Sequence, residues 1–137
     1  MSNIIAVKRR TRKGEGSALA SPLKVSDATI RDLTSVFKLL ADKSRLKIVL
    51  ALAQLGPMHV SALCDLLGQT QPAVSHHLTL MRIVGLVGYD RNGKHNFYYL
   101  ASDYLRDLFE QFFADQGGRP TLEFDEFTLT YARRPEA

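Results

Sequence analysis

Gln71, Ser75, His76 and Thr79 share a short stretch with Val74, Leu78 and Met81. On a helical wheel set from Val74, Leu78 and Met81 fall on the same side, His76 and Thr79 point almost oppositely, and Gln71 and Ser75 lie on the flanks. The apolar side can pack while the polar side stays free. Its residue types are those that read base edges in a duplex groove: Gln pairs bidentately with adenine, and Ser, Thr or His donates or accepts singly. Thr70 stands where a cap belongs and Arg82 follows on the same helix. A second group, Arg91, Asn92, Lys94 and His95, puts cations at a loop tip, in reach of phosphates or a minor groove. Either group alone suits an ordinary solvated surface. A short helix, a turn, a second helix and a basic hairpin in that order are rare by accident.

Other chemistries find less support. The single cysteine, Cys64, cannot close an intrachain disulfide, which removes an intramolecular dithiol switch. His59 and Cys64 are weak metal candidates, because a closed tetrahedral zinc site needs four donors and these supply two. Cys64 reads better as a small packed residue. No Gly-rich phosphate loop, no His-Glu-x-x-His and no Cys/His/Asp arrangement with catalytic spacing is visible, so an enzyme is not expected and no cofactor is predicted.

The elements that must position these residues are legible in outline. Residues 1–25 combine Lys8, Arg9, Arg10, Arg12 and Lys13 with Gly and Ser, the composition of a disordered basic arm. From Asp27, Ile30, Leu33, Phe37 and Leu40 recur at helical steps, with Ser26 or Asp27 placed to cap. Asp42 and Ser44 restart the chain into a strongly apolar second helix, stopped at Gly56-Pro57, whose wide apolar surface suggests a central position. Met58 to Val60 allows one extended residue pair, and Ser61 to Leu67 a short helix ended by Gly68. A helix over about 70–84 follows, with Thr70 as its cap and Pro72 in its first turn. Leu86 to Asp90 and His95 to Leu100 read as two strands around Arg91-Asn92-Gly93-Lys94, a two-stranded wing over 87–100. After Ser102-Asp103, the residues Leu105, Leu108, Phe109, Phe112 and Phe113 mark a last helix. In the tail, 117–137, strict alternation covers only Phe127, Leu129 and Tyr131, which is compatible with a short strand.

The chain has 137 residues, 45% hydrophobic and 23% charged, enough for one compact core. A formal net charge of +4 favours polyanionic partners without requiring them. No apolar run reaches the roughly 20 residues of a membrane span, and the first 25 residues lack the apolar stretch of a secretory signal; a cytoplasmic protein with no membrane partner is expected.

The segments LLADKSRLKIVLAL, LGQTQPAVSHHLTLMRIVGLV and YDRNGKHNFYYL resemble the ArsR/SmtB family of winged-helix repressors. The resemblance runs from about Thr34 to Phe113 and is most specific at Thr70 to Leu78. It implies a mainly α (α+β) winged helix-turn-helix fold over residues 26–116, with about five helices and a wing. It also implies a homodimer on an inverted-repeat operator and release from DNA on binding an inducer. Ile30, Leu33, Phe37, Leu105, Leu108, Phe109 and Phe112 would then form the dimer contact, since apolar stripes so generous normally mark an interface. Arg45 resembles the family's basic position at the start of the second helix, with a structural or a phosphate role. His77, toward the packed flank, reads as structural and His76 as the DNA contact. The register puts His59, Ser61 and Cys64 where some relatives carry metal-binding cysteines, and Ser102, Tyr104, Asp115 and Gly118 where others carry a second metal site; the latter set has no imidazole. The competing readings are a winged-helix module that binds a protein partner and a ligand-independent DNA-binding regulator or activator.

Overall fold

A computed structural model describes residues 22–135. The basic arm expected over residues 1–25 therefore lies, up to residue 21, outside the described residues. The element order is α1 (Asp27–Leu40), α2 (Lys43–Leu55), β1 (Met58–His59), α3 (Val60–Leu67), α4 (Gln71–Val84), β2 (Val87–Asn92), β3 (His95–Leu100), α5 (Ser102–Asp115), β4 (Thr121–Glu123) and β5 (Thr128–Thr130). This is the winged helix-turn-helix expected from the sequence.

Local chemistry sets the boundaries. Ser26 caps α1, its hydroxyl accepting from the Thr29 N–H at 3.2 Å. Asp42 caps α2 through the Arg45 N–H at 3.0 Å. Helix α3 begins at Val60, one residue before the expected Ser61, because the His59 ring accepts from the Ser61 N–H at 3.1 Å and acts as the cap. Thr70 occupies the cap position of α4 with extended backbone, but its side chain makes no capping bond. Pro72 in the first turn already removes one of the donors a cap would satisfy.

The core is continuous. Val36 from α1, Ile48 and Leu52 from α2, Leu63 from α3, Val74, Leu78 and Met81 from α4, Leu86 and Val87 leading into the wing, and Leu108 from α5 are buried together. Helix α2 packs against α1, α3, α4 and β3, yet Leu46, Leu50 and Leu55 stay exposed, so its wide apolar surface is only partly covered.

The wing is part of a three-stranded antiparallel sheet of order β1-β3-β2, not an isolated two-stranded ribbon. Met58 pairs with Tyr98 and His59 with Phe97, which ties the wing's return strand to the start of α3. Strands β2 and β3 pair from Val87↔Leu100 to Asn92↔His95, leaving Gly93-Lys94 as a two-residue loop. Strand β2 thus runs two residues further than Asp90, and the turn is Gly-Lys. Gly93 has φ +64° and among the described residues no non-glycine residue has positive φ, the pattern of a type II′ turn with glycine first.

The tail forms a hairpin where at most one strand was expected. Strands β4 and β5 pair Leu122 with Leu129 around Asp125-Glu126, and the Phe124 and Phe127 rings stack at 4.4 Å. Tyr131 stacks on Phe113 of α5 and donates to Glu110 at 3.1 Å, fastening the hairpin to the body. Each strand is only three residues long, too short for a periodicity to register. Among the described residues no helix is long and apolar enough to cross a membrane.

Candidate nucleic-acid interface

Helix α4 divides as its wheel requires. Val74, Leu78 and Met81 are buried, while Gln71, His76, Thr79 and Arg82 are exposed and Ser75 is half-buried. The burial of one side fixes the rotation of the helix, so the polar side faces outward by packing rather than by its own interactions. The Thr79 hydroxyl donates to the Ser75 carbonyl at 2.8 Å. Its oxygen can still accept, and its methyl group suits contact with the thymine methyl. Arg82 lies with its guanidinium 4.8 Å from the centroid of the Tyr89 ring on β2. This cation–π contact links the end of α4 to the wing and holds a cation between the two.

The turn before α4 is fixed from outside. Gln69 donates to the Ser44 hydroxyl at 2.6 Å, joining the α3–α4 connection to the first turn of α2. Gly68, at φ +63°, ends α3 in the left-handed conformation that a side chain would strain. Gly85, at φ +90°, ends α4 and directs the chain into the wing.

Arg45 has a structural position. Its Nε donates to the Leu39 carbonyl at 2.6 Å, its Nη1 faces His77 Nδ1 at 3.3 Å and its Nη2 lies 3.8 Å from Asp42 Oδ2. One fork therefore ties the end of α1, the cap of α2 and the inner flank of α4, and the side chain is only 17% exposed. Of the two roles open to it, structural or phosphate-contacting, these bonds fit the structural one, the positioning of α4. The backbone N–H of Arg45 and, less, its guanidinium charge hold the Asp42 carboxyl below its ordinary value. His77 is structural, as its flank position indicated.

At the wing, Arg91, Asn92 and Lys94 are exposed at the tip, with Arg91 Nε donating to the Gly93 carbonyl at 3.3 Å. His95 is exposed beside the tip, and its ring also packs edge-on against His59 at 4.4 Å, which braces the wing on the start of α3. His59 has two jobs, capping α3 and supporting His95, and both use an imidazole that a metal would need. Cys64 is half-buried against the core. Among the described residues no group of three or more His, Cys, Asp or Glu side chains converges.

The apolar stripes of α1 and α5 sort into two sets. Leu33 and Leu108 belong to the core of the single chain, so their assignment to the dimer contact is withdrawn. They pack because α1 and α5 lie against each other, and each stripe is wide enough to have an inner and an outer edge. Phe37 is 57% and Ile30 37% exposed, while Leu105, Phe109 and Phe112 are half-buried. Asp115 is engaged within the fold, accepting from the Ser26 N–H at 3.1 Å, the Thr29 hydroxyl at 3.4 Å and Gln111 at 2.6 Å. These bonds, led by that from Ser26, lower its carboxyl pKa and join the end of α5 to the start of α1. The roles of Gln69 and Asp115 had no sequence signal, because each depends on a partner distant in the chain, and that of Tyr89 depends on how the chain turns from α4 into the wing.

Residues 42–89 match the model of the arsR family of bacterial regulatory proteins, a span from the cap of α2 to the first wing strand. An uncharacterized HTH-type transcriptional regulator of Methanocaldococcus jannaschii is 37% identical over 73 residues, covering 53% of this chain and 82% of that protein. The arsenical resistance operon repressor of Escherichia coli is 49% identical over 59 residues, 43% of this chain and 50% of its own length. Among solved structures, a homodimeric winged helix-turn-helix DNA-binding domain of Mycobacterium bovis, from a possible ArsR-family regulator, superposes with a TM-score of 0.51 at 31% identity. That alignment covers 67% of this chain and 83% of the other. With a winged helix-turn-helix architecture in common and sequence similarity over the helix-turn-helix, the chain belongs to the ArsR family of bacterial regulatory proteins.

Proposed function

We propose that the chain is a transcriptional repressor that binds double-stranded DNA as a homodimer, with α4 in the major groove and the wing beside it. The carrying observation is the outward polar side of α4, held by the burial of Val74, Leu78 and Met81 next to an exposed basic hairpin. Gln71, Ser75, His76 and Thr79 read base edges, with Gln71 nearest the helix N-terminus where bases are closest. Thr70, Arg82, Arg91, Asn92 and Lys94 hold phosphates and fix register. A two-fold pair built on the outer edges of α1 and α5 sets its two α4 helices about 34 Å apart, one helical turn of an inverted repeat. The repressor named among the relatives and the homodimer among the structures support this reading. A genomic DNA target implies work in the cytoplasm. The bracing of His59 and the internal bonding of Asp115 support an inducer other than a metal held at those positions.

Selection of duplexes from a random pool tests this directly. A two-fold symmetric consensus is expected, bound with an affinity that falls steeply with salt, the log–log slope being about −0.9 per phosphate neutralised. Failure to enrich any sequence would refute the reading.

A further inference from the structure

The tail hairpin lies outside the family-matched residues 42–89 and has two unlike faces. In an antiparallel ladder, paired residues share a face and the face alternates along each strand. The pair Leu122↔Leu129 therefore shares a face with Phe124 and Phe127, which stand two residues nearer the turn and are joined by the Phe124 N–H donating to the Phe127 carbonyl at 2.8 Å. Tyr131, whose N–H donates to the Pro120 carbonyl at 2.7 Å, lies on that face at the other end. Thr121, Glu123, Thr128 and Thr130 make the opposite face, which is wholly polar. Antiparallel sheets patterned in this way pack one face and leave the other to water. Here the apolar face is packed only at its base, where Tyr131 stacks on Phe113 of α5 and Leu122 is half-buried. Toward the turn, Phe124, Phe127 and Leu129 are 39%, 47% and 53% exposed. The stacking of Phe124 on Phe127 covers one side of each ring and leaves Leu129 bare.

That bare end is continuous with the surface assigned to self-association. Leu122 lines one concavity with Ile30 of α1 and Phe112 of α5, and Leu129 stands beside Leu122 across the ladder. We propose that the overhanging end of the hairpin clasps a second copy of this chain, with Phe124, Phe127 and Leu129 packing on the outer edges of the partner's α1 and α5. The proposal rests on the homodimer reading and adds to it a contact from a segment outside the matched residues. A hairpin of three-residue strands is marginal without a surface to pack on, and its own body supplies that surface only at the base. Two-fold symmetry presents the clasp twice, once from each copy. Residues 1–21 of the same chain are the competing occupant.

Photocrosslinking of the full chain tests the contact, with benzoylphenylalanine in place of Phe127 and an isotope-labelled copy mixed in before irradiation. Covalent dimers are expected, joined through peptides from α1 or α5 of the other copy. Crosslinks confined to one chain, whether to residues 1–21 or to its own body, or no crosslink at all, would overturn the proposal. Sedimentation equilibrium reads the energetics. Phe124→Ser combined with Phe127→Ser should raise the dimer dissociation constant about tenfold with the far-UV circular dichroism unchanged. Should that variant lose helical signal, Leu129→Ser carries the same test. An unchanged constant, or an equal rise from Thr128→Ser with Thr130→Ser on the polar face, would also overturn it. A parent dimer that dissociates with Phe37→Asp but keeps its constant in the hairpin variants would remove the clasp and leave the homodimer. A parent that sediments as a monomer would remove both.

Discussion

Arg45 shows what a side chain contributes when it lies behind the reading surface. Its fork holds Leu39, Asp42 and His77 together, and charge-assisted bonds of this kind are worth about 1.5–3 kcal/mol. Arg45→Ala should therefore lower the urea unfolding free energy by about 2 kcal/mol, and Arg45→Lys should recover little, since an ammonium lacks the planar fork. An unchanged urea midpoint would return Arg45 to the surface. The sequence left its role open between structure and phosphate, because the Leu39 carbonyl and the His77 ring meet it only in the fold. Asp42 and Asp115 are linked to pH in the same way. Both folded pKa values lie below the ordinary 3.8, so the stability they add is complete above that value and is lost as pH falls through the lower folded values. Asp42→Asn combined with Asp115→Asn should flatten the acid limb of stability against pH, while the Asn at 42 keeps the cap. An acid limb as steep as that of the parent would place its origin elsewhere.

At the scale of elements, α4, with Gly68 closing the helix before it and Gly85 closing it, explains why the outward polar side of the candidate site was legible. A period of 3.6 needs only its own residues, and Val74, Leu78 and Met81 carry it without help from the rest of the chain. Leu78→Ala, at 1% exposure, should cost about 2–5 kcal/mol in chemical unfolding. Gly85→Ala meets nothing closer than the Tyr104 Cβ at 3.7 Å, so its cost should be the 1–2 kcal/mol or so of a left-handed residue alone. A much larger loss would show that α4 and α5 are jammed at that point. The pairing of β1 with the wing and the tail hairpin were not legible, because two- and three-residue strands are defined by partners rather than by pattern. The shift of the hairpin loop from Asn92-Gly93 to Gly93-Lys94 has the same origin. Register is set by the inward-facing residues of both strands, and the dipeptide signal narrows it only to within a residue.

In the whole molecule, a central helix-turn-helix shared with the family is extended at both ends by segments that build a cavity against α1 and α5. The exposed Phe37 belongs to the outer edge of α1, where Leu33 already serves the core. Phe37→Asp should convert the proposed dimer to monomer in sedimentation velocity, with little change in the urea midpoint measured at low concentration. A dimer that survives it would move the contact off α1. The account stands on α4 discriminating among bases while the wing grips the backbone. The most direct measurement is anisotropy with the selected duplex and a set of single base-pair variants, for the parent, Gln71→Ala and Lys94→Ala. The expected result is a loss of about 1–3 kcal/mol and relaxed preference at one base position for Gln71→Ala, and equal weakening across all duplexes for Lys94→Ala. Equal weakening by both substitutions on every duplex would contradict base reading by α4.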